Sequence, residues 1–526
     1  MSVEDCLSEA SSADAKATEL KTSRLETTRS EQMQGSLFHP YNSCYNEGNM
    51  TIVRSRFAPS PTGFVHVGAV RTALFSWLLA RQAGSEGTFI LRIEDTDKVR
   101  EVEGSTAQIE KSLKWLGLEW DEGIDKGGPD APYLQSERLA IYIDWAQKLI
   151  DAGRAYADPY TSAEVEAFRD QAKAEKRPFL FRDHRPQTPP VWDGSQPLRF
   201  KSEPKPYKWH DAVLGDLSTG PDAIDDFIII KSDGFPTYNF CHIIDDAIMG
   251  VTHVLRSQEF ISSTPKFLNL YEALEVERPI LATLPYVMAI DGKKKLGKRD
   301  GAKDILEYAT EGYLPEAMIN FLATLGWNDG TEQEIFTVAE LTEKFKLDRV
   351  QKSPARFDEQ RLLWLNGQHI RLLSLDDLFA RSHNFWSDKA HEAGEERQKL
   401  VLELVKDRLK TLADIPTITD YFFEEPTPNW TMIEGNKQLV ALGNDGIREL
   451  LGQAVVALSS SEYTPEALQE TLNGLLETTG QKPGILFSLI RLAVSWAPFS
   501  PALNETLAVL GKDTVLSRLD TSLKAL

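Results

Sequence analysis

Hydrophobic and polar segments alternate along the first half of the chain in a way that predicts an α/β fold. A short apolar strand is followed by a Pro/Gly-rich loop, an apolar helix and a second strand, which is the order of a βαβ unit with a parallel sheet. The predicted segments are a strand over 51–57, a loop over 58–66, a helix over 68–82, a strand over 88–94 and helices over 105–116 and 136–151.

This α/β pattern is interrupted and then resumes. Residues 155–223 contain recurring prolines among short strand-like pieces, which indicates a domain inserted between two halves of the sheet. The pattern resumes with apolar segments over 226–231, 237–244 and 252–255, a helix over 264–274 and a last core strand over 286–290.

Beyond about residue 305 the pattern is helical to the end of the chain. One helix is predicted over 315–325, and five later apolar residues have the spacing of one face of another helix. These five residues are Val401, Leu404, Val405, Leu409 and Leu412.

Together the patterns predict a Rossmann-type doubly wound parallel sheet with an inserted α+β domain, followed by an all-α C-terminal region. The predicted boundaries are an N-terminal extension over 1–49, the two halves of the Rossmann domain over 50–154 and 224–305, the insertion over 155–223, and two helical domains over 306–374 and 375–526.

Composition and charge limit the classes of function. The chain has 526 residues, of which 41% are hydrophobic and 26% charged, and no stretch reaches the roughly 18 apolar residues of a membrane helix, so no membrane partner is predicted. The net charge of -21 by itself disfavours nucleic-acid binding, although a large protein can confine its basic residues to one face.

The cysteines indicate the compartment. Cys6, Cys44 and Cys241 form no CxxC pair, which predicts neither a disulfide framework nor a cysteine-based zinc site and suits a reducing cytoplasm. Residues 1–49 are rich in Ser, Thr, Glu and Ala without an apolar period, so we expect them to be disordered. The alternative is that translation begins at Met50.

The loop after the first strand is the first candidate site. It reads Arg56-Phe-Ala-Pro-Ser-Pro-Thr-Gly-Phe-Val-His-Val-Gly-Ala69 and opens a helix, whose N-terminus offers N–H groups to a phosphate. His66 can donate to phosphates, and Gly68 allows close approach of a base or ribose. The string resembles the HIGH signature of class I aminoacyl-tRNA synthetases, in the form RFAPSPTG-x-x-H-x-G that is typical of the glutamyl and glutaminyl branch.

A basic segment is the second candidate site. Six of the eleven residues over 293–303 are lysine or arginine, which could surround a triphosphate. The stretch Lys295-Leu-Gly-Lys-Arg299 resembles the KMSKS loop of the same family, and the resemblance gives Lys295 and Lys298 ATP-binding and catalytic roles. It departs from the family at Gly297, where serine is usual.

Two further segments resemble the amino-acid pocket of glutamyl-tRNA synthetases. In Arg92-Ile-Glu-Asp-Thr-Asp97 the resemblance assigns Glu94 to the substrate ammonium group. The stretch from Phe235 to Arg256 is similar to the family's PTYNF…DD…MGVTHV-x-R segment. The predicted glutamate-binding residues are Arg56, which would pair with the side-chain carboxylate, Ala58, Ser60, Glu94, Tyr238, His242 and Arg256.

The resemblance extends to the remaining domains. The insertion would hold the tRNA acceptor end, and no zinc is predicted there because Tyr156-Ala-Asp-Pro-Tyr160 lacks the cysteines that some relatives have. Within the predicted domain 306–374, residues 352–358 and 364–367 resemble the family's stem-contact region. The helical residues 375–526 resemble the bacterial anticodon-binding domain, whereas glutaminyl-tRNA synthetases have β-barrels in that position.

The resemblance implies a two-step ligation of L-glutamate to tRNA(Glu) with ATP and Mg2+, through glutamyl-adenylate, by a cytoplasmic monomer. It leaves open whether tRNA(Gln) is charged as well. Two alternatives remain. The first is a glutaminyl-tRNA synthetase, because those enzymes also use a histidine near the position of His242. The second is a non-catalytic tRNA-binding paralogue, which would share the fold. Intact His66, Gly68, Lys295 and Lys298 disfavour the second alternative.

Overall fold

The computed structural model describes residues 52–297, 303–497 and 500–525. Its strands are β1 Val53–Phe57, β2 Gly87–Leu91, β3 Ala155–Ala157, β4 Leu198–Phe200, β5 Tyr207–Asp211, β6 Gly215–Thr219, β7 Phe227–Ile230, β8 His253–Ser257, β9 Ile280–Leu284, β10 Val287–Met288 and β11 Ala355–Arg356.

Nine helices are described before β11. They are α1 Val67–Gln82, α2 Ser105–Trp115, α3 Leu139–Asp151, α4 Ser162–Ala174, α5 Tyr238–Ile248, α6 Thr264–Ala273, α7 Ile305–Thr310, α8 Pro315–Thr324 and α9 Val338–Lys344.

The described part of the chain beyond β11 is helical. The helices there are α10 Glu359–Leu372, α11 Leu375–Ser382, α12 Asp388–Ala393, α13 Glu395–Val405, α14 Ile415–Thr419, α15 Thr431–Glu434, α16 Lys437–Val440, α17 Gly443–Ser460, α18 Pro465–Thr479, α19 Pro483–Ser495, α20 Leu503–Leu510 and α21 Lys512–Lys524.

The central sheet has four strands in the order β2-β1-β8-β9, and all neighbouring strands are parallel. Helix α1 returns the chain from β1 to β2 and buries Val67, Val70 and Leu74 against the sheet. All four strands therefore end at one edge, where ligands of such sheets bind. The prediction of a parallel Rossmann-type sheet followed by a helical region is confirmed.

The strand predicted over 226–231 does not join the parallel sheet. Strand β7 pairs antiparallel with β4, which pairs antiparallel with β3, and this small sheet packs against α3 and α5. A continuous apolar run fits any strand that is buried on both faces, so the sequence could not decide between the two sheets.

Two other predicted elements were wrong, the last strand of the central sheet and one C-terminal helix. The last strand of the central sheet is β9, whereas the strand predicted over 286–290 contains only β10, which pairs with β11. Both segments are apolar, and hydrophobicity alone did not distinguish them. The helix predicted to carry Val401 and Leu412 on one face ends at Val405, and Leu409 and Leu412 enter the same C-terminal core from the segment that follows.

Candidate active site

His66 begins α1 at the carboxyl edge of the sheet. Its ring Nδ1 accepts a hydrogen bond from the backbone N–H of Gly68 at 3.2 Å, so this nitrogen carries no proton. In the neutral ring the proton is then on Nε2, which makes His66 a hydrogen-bond donor at a helix N-terminus, where phosphate is favoured. A side chain at Gly68 would place its Cβ 3.3 Å from Cε1 of His66, so glycine keeps the ring in this position.

The described start of the basic segment, residues 293–297, lies beside the end of strand β8. Strand β10 leads into a turn in which Leu296 N donates to Val287 O at 2.9 Å. Lys295 Nζ lies 2.7 Å from Glu259 Oε2 and 5.0 Å from the centre of the Tyr286 ring. Glu259 follows the end of β8, so Lys295 is held beside the carboxyl end of a core strand. Lys298 lies outside the described residues.

The loop that carries Ala58 and Ser60 runs alongside the segment that carries Glu94. The backbone N–H of Glu94 donates to Pro59 O at 2.9 Å, and that of Arg92 donates to Phe57 O at 3.1 Å. Ser60 is exposed and Ala58 is partly buried. These backbone contacts bring the predicted ATP loop and the predicted ammonium-binding carboxylate to one place.

Glu94 is a buried carboxylate that forms one ion pair among the described residues. Its Oε1 lies 3.0 Å from Nη2 of Arg92, and only 4% of the residue is exposed. Burial raises the pKa of Glu94 to about 7, although Arg92 and Arg56 oppose the rise. A positively charged ligand group would stabilise the ionised form.

Asp246 on α5 binds two of the buried arginines. Its Oδ1 lies 3.2 Å from Nε of Arg56 and 2.8 Å from Nη1 of Arg92. Although burial acts in the opposite direction, these two guanidinium groups hold the pKa of Asp246 well below its usual range. Arg56, the predicted partner of the substrate carboxylate, is thus already partly neutralised by the protein.

The adjacent carboxylate, Asp245, is fully buried and binds a third arginine. It accepts from Nε of Arg138 at 2.8 Å, Nε2 of Gln135 at 2.7 Å and Oη of Tyr142 at 2.8 Å. Arg92 Nε lies 3.6 Å from it. This set of bonds fixes the start of α3 against α5.

Arg256 is a buried arginine that pairs with no carboxylate among the described residues. Only 7% of the residue is exposed, and within the described chain none of its three guanidinium nitrogens has a hydrogen-bond partner. The guanidinium carbon lies 5.0 Å from the centre of the Phe267 ring and 5.9 Å from that of Phe260. A buried, unpaired guanidinium is costly unless an anion binds it.

The charges of this buried cluster do not balance within the protein. Among the described residues, four arginines face three carboxylates when Glu94 is ionised, which leaves one positive charge. The arginines are Arg56, Arg92, Arg138 and Arg256, and the carboxylates are Glu94, Asp245 and Asp246. The cluster is therefore suited to a ligand with a net charge of about -1.

Tyr238 and His242 lie beside Arg256, because the ring of Tyr238 contacts the same two phenylalanines, Phe260 and Phe267. Their rings are stacked with centroids 4.6 Å apart, and Nδ1 of His242 lies 2.6 Å from Tyr238 O. A carbonyl can only accept, so Nδ1 carries the proton and Nε2 is an acceptor, for which the described residues offer no partner. Burial, reinforced by Arg256, lowers the pKa of His242 to about 3, so the ring is neutral at neutral pH.

Comparisons with known proteins identify the family. Residues 52–364 match the catalytic domain of class I tRNA synthetases (E and Q), and residues 377–523 match an anticodon binding domain. A glutamate–tRNA ligase of Moorella thermoacetica is 41% identical over 90% of this chain and 98% of its own length. The chain belongs to the glutamate–tRNA ligases.

Solved structures of glutamate–tRNA ligases have the same fold. The enzyme from Elizabethkingia meningosepticum, solved in complex with its amino acid, has a TM-score of 0.79 and 32% identity, covering 90% of this chain and 99% of that one. The enzyme from Elizabethkingia anophelis has a TM-score of 0.77 and 31% identity, covering 90% and 100%. The chain is thus a class I aminoacyl-tRNA synthetase, and its substrates are ATP, an amino acid and tRNA.

Of the residues assigned from the sequence to the site of this glutamate–tRNA ligase, the structure describes all but Lys298. Sequence reasoning did not single out Arg92, Asp245, Asp246 and Glu259, which decide how the cations of the site are paired. Consecutive acids within an apolar helix, as at 245–246, could have indicated a buried ion-pair network, because a carboxylate is rarely buried without a partner.

The described residues of this ligase contain neither a metal-binding cluster nor a membrane-spanning helix. No group of three or more His, Cys, Asp or Glu side chains is arranged to hold a metal ion there. The absence of zinc from the insertion remains a prediction. None of the described helices combines the length and the hydropathy that crossing a bilayer requires.

Proposed function

We propose that the buried cluster around Arg256 and Glu94 is the L-glutamate site of this ligase, and that the charge imbalance of the cluster selects glutamate. L-glutamate has a net charge of about -1 at neutral pH, whereas glutamine has none. Arg256 would bind the side-chain carboxylate, with the remaining donors of Arg56 nearby, and Glu94 would bind the ammonium group. The single observation that supports this most strongly is that Arg256 is buried with no partner among the described residues.

The proposed reaction takes place in two steps at the carboxyl edge of the sheet. The α-carboxylate of glutamate attacks the α-phosphorus of MgATP, and the bond from that phosphorus to pyrophosphate breaks. The terminal ribose hydroxyl of tRNA(Glu) then takes the glutamyl group and AMP leaves. His66, the N-terminus of α1, Gly68, Lys295 and Lys298 would stabilise negative charge on the phosphates, so catalysis is positioning and electrostatic stabilisation. Magnesium enters as part of the substrate.

His242 is the one feature of the pocket that would also suit glutamine. In the tautomer set by Tyr238 O, Nε2 of His242 accepts a hydrogen bond, which a glutamine amide could donate. In our proposal this acceptor binds the substrate ammonium together with Glu94. Arg256 disfavours the binding of glutamine, because the neutral amide of glutamine would leave the charge of Arg256 buried and unpaired.

The test is aminoacylation of total tRNA with labelled glutamate or labelled glutamine, followed by separation of the charged tRNAs. We expect glutamate transfer that falls by at least about 100-fold in Lys295→Ala and is unchanged in Lys111→Ala, an exposed lysine on α2. Glutamine transfer would overturn the proposed specificity, and transfer of neither amino acid would overturn the proposed catalysis. The separation also shows whether tRNA(Gln) is charged. The monomeric state and cytoplasmic location remain predictions.

A further inference from the structure

The side chain of Gln108 connects the two ATP-binding signatures. Its Oε1 accepts from the backbone N–H of Val65 at 3.2 Å, and its Nε2 donates to Oδ1 of Asp304 at 2.5 Å. Val65 directly precedes His66, and Asp304 follows the basic segment. The amide thus contacts the chain at the end of one signature and just beyond the other.

These contacts converge on His66. Asp304 forms an isolated antiparallel bridge with His66, and Ile305 N donates to Val65 O at 3.2 Å. Asp304 also begins α7 by accepting from Leu306 N at 3.0 Å. The segment that carries His66 is therefore paired with Asp304, and Gln108 is hydrogen-bonded to both members of this pair, at Val65 N and at the Asp304 carboxylate.

Helix α2 gives Gln108 a fixed base. Ile109 and Leu113 of this helix are fully buried in the main core. Ser105, at the start of the helix, donates from its hydroxyl to Gly63 O at 2.7 Å, so the loop before His66 is held at a second point. A side chain that extends from such an anchored helix can hold a flexible loop in one position.

We infer that Gln108 is a positioning residue for His66, through its simultaneous hydrogen bonds to Val65 N and Asp304. This inference depends on the proposed function, because the group being positioned is the proposed phosphate donor. An amide is required because the site needs one acceptor and one donor on the same side chain. A carboxylate could accept from Val65 N but would face the carboxylate of Asp304.

The first experiment compares Gln108→Ala with Gln147→Ala in glutamate aminoacylation. Gln147 is an exposed glutamine on α3, which makes it a matched control. We expect Gln108→Ala to lower kcat about 10-fold with less than about a two-fold change in KM for glutamate, since small misplacements of a catalytic group are costly. An unchanged kcat in Gln108→Ala would overturn the inference. The proposed function would still stand in that case, provided that the wild-type protein transfers glutamate.

A double-mutant cycle with His66→Ala separates positioning from general stability. If Gln108 acts through His66, its loss should cost less than about two-fold in kcat once His66 is absent. The same roughly 10-fold loss in both backgrounds would overturn the inference. Absence of glutamate transfer by the wild-type chain would instead overturn the proposed function.

A charge-swapped pair tests the hydrogen-bond pattern without a loss of volume. Gln108→Glu alone should be more damaging than Gln108→Ala, because two carboxylates would lie within about 3 Å. Adding Asp304→Asn removes the second carboxylate, and asparagine caps helices well. Because Oδ1 of Asp304 accepts from both Gln108 and Leu306 N, the asparagine must keep its oxygen on Leu306 N and turn its amide NH2 toward the new carboxylate. We expect the pair to recover kcat to within about three-fold of wild type. Failure of the pair to recover, with the fold intact by circular dichroism, would contradict the inference.

Discussion

The guanidinium of Arg256 lies over the ring of Phe267, 5.0 Å from its centroid, and its nitrogens have no hydrogen-bond partner among the described residues. The aromatic ring offsets part of the cost of burying the charge but provides no hydrogen-bond acceptor. The three nitrogens remain available for a planar anion. This relationship distinguishes Arg256 from Arg56, which is bonded to Asp246.

Replacing Arg256 should weaken glutamate binding selectively. In Arg256→Gln we expect KM for glutamate to rise about 100-fold, because removing one partner of a buried, hydrogen-bonded charge pair costs about 2–5 kcal/mol. Discrimination against glutamine should fall by a similar factor, since no unpaired charge remains to penalise it. Steady-state aminoacylation with each amino acid measures both, with exposed Arg278→Gln as the control. A normal KM would exclude Arg256 from carboxylate binding.

The ionisation of Glu94 should make glutamate use depend on pH. Burial raises the pKa of Glu94 to about 7, so the free enzyme gains the charge that attracts ammonium as the pH rises through that value. We expect kcat/KM for glutamate to rise between pH 6 and pH 8, because this parameter reports the free enzyme. In Glu94→Gln the rise should be absent and activity at pH 8 should be about 100-fold lower. Glu103→Gln, which changes an exposed carboxylate, should retain the wild-type pH profile of kcat/KM. If the wild type, Glu94→Gln and Glu103→Gln all had the same pH profile, the assignment of Glu94 to the substrate ammonium would be contradicted.

The contact of Lys295 with Glu259 should compete with ATP. Both side chains are about half exposed, and a pair of this kind is worth about 1 kcal/mol or less. Releasing Lys295 by Glu259→Gln should therefore lower KM for ATP by up to about five-fold, whereas Lys295→Ala should lower kcat by about 100-fold or more. Exposed Glu277→Gln serves as the control. A raised KM for ATP in Glu259→Gln would mean that Glu259 positions the lysine instead.

His66 should be separable into a capping role and a catalytic role. Asparagine is a good N-cap, so His66→Asn should retain the start of α1 while removing the imidazole, and His66→Ala should remove both. We expect kcat to fall about 100-fold in both variants, but only the alanine variant to lose about 1 kcal/mol of unfolding free energy. Urea denaturation and aminoacylation measure the two effects. Wild-type kcat in His66→Asn would leave the imidazole without a catalytic role.

The sequence by itself determined the family, the parallel sheet and the helical C-terminal region. The sequence motifs around His66, Glu94 and Tyr238 are local, so they identify the family without any knowledge of the fold. His66 and Glu94 follow β1 and β2, and because the carboxyl ends of parallel strands lie at one edge, the sequence could also predict that these two residues converge. The helical region followed from periodicity, because an amphipathic face repeats within a few residues. None of these inferences required knowledge of which distant residues meet.

Only the tertiary structure decided how the charges of the site are paired. Arg56 and Asp246 are 190 positions apart, and their contact leaves Arg256 as the arginine of the buried cluster that has no hydrogen-bond partner among the described residues. The membership of β7 in the small sheet was decided in the same way. Burial energy and ion pairing depend on what surrounds a residue in space, and a hydrophobic pattern along the chain records only that a segment is buried, not against what it is buried.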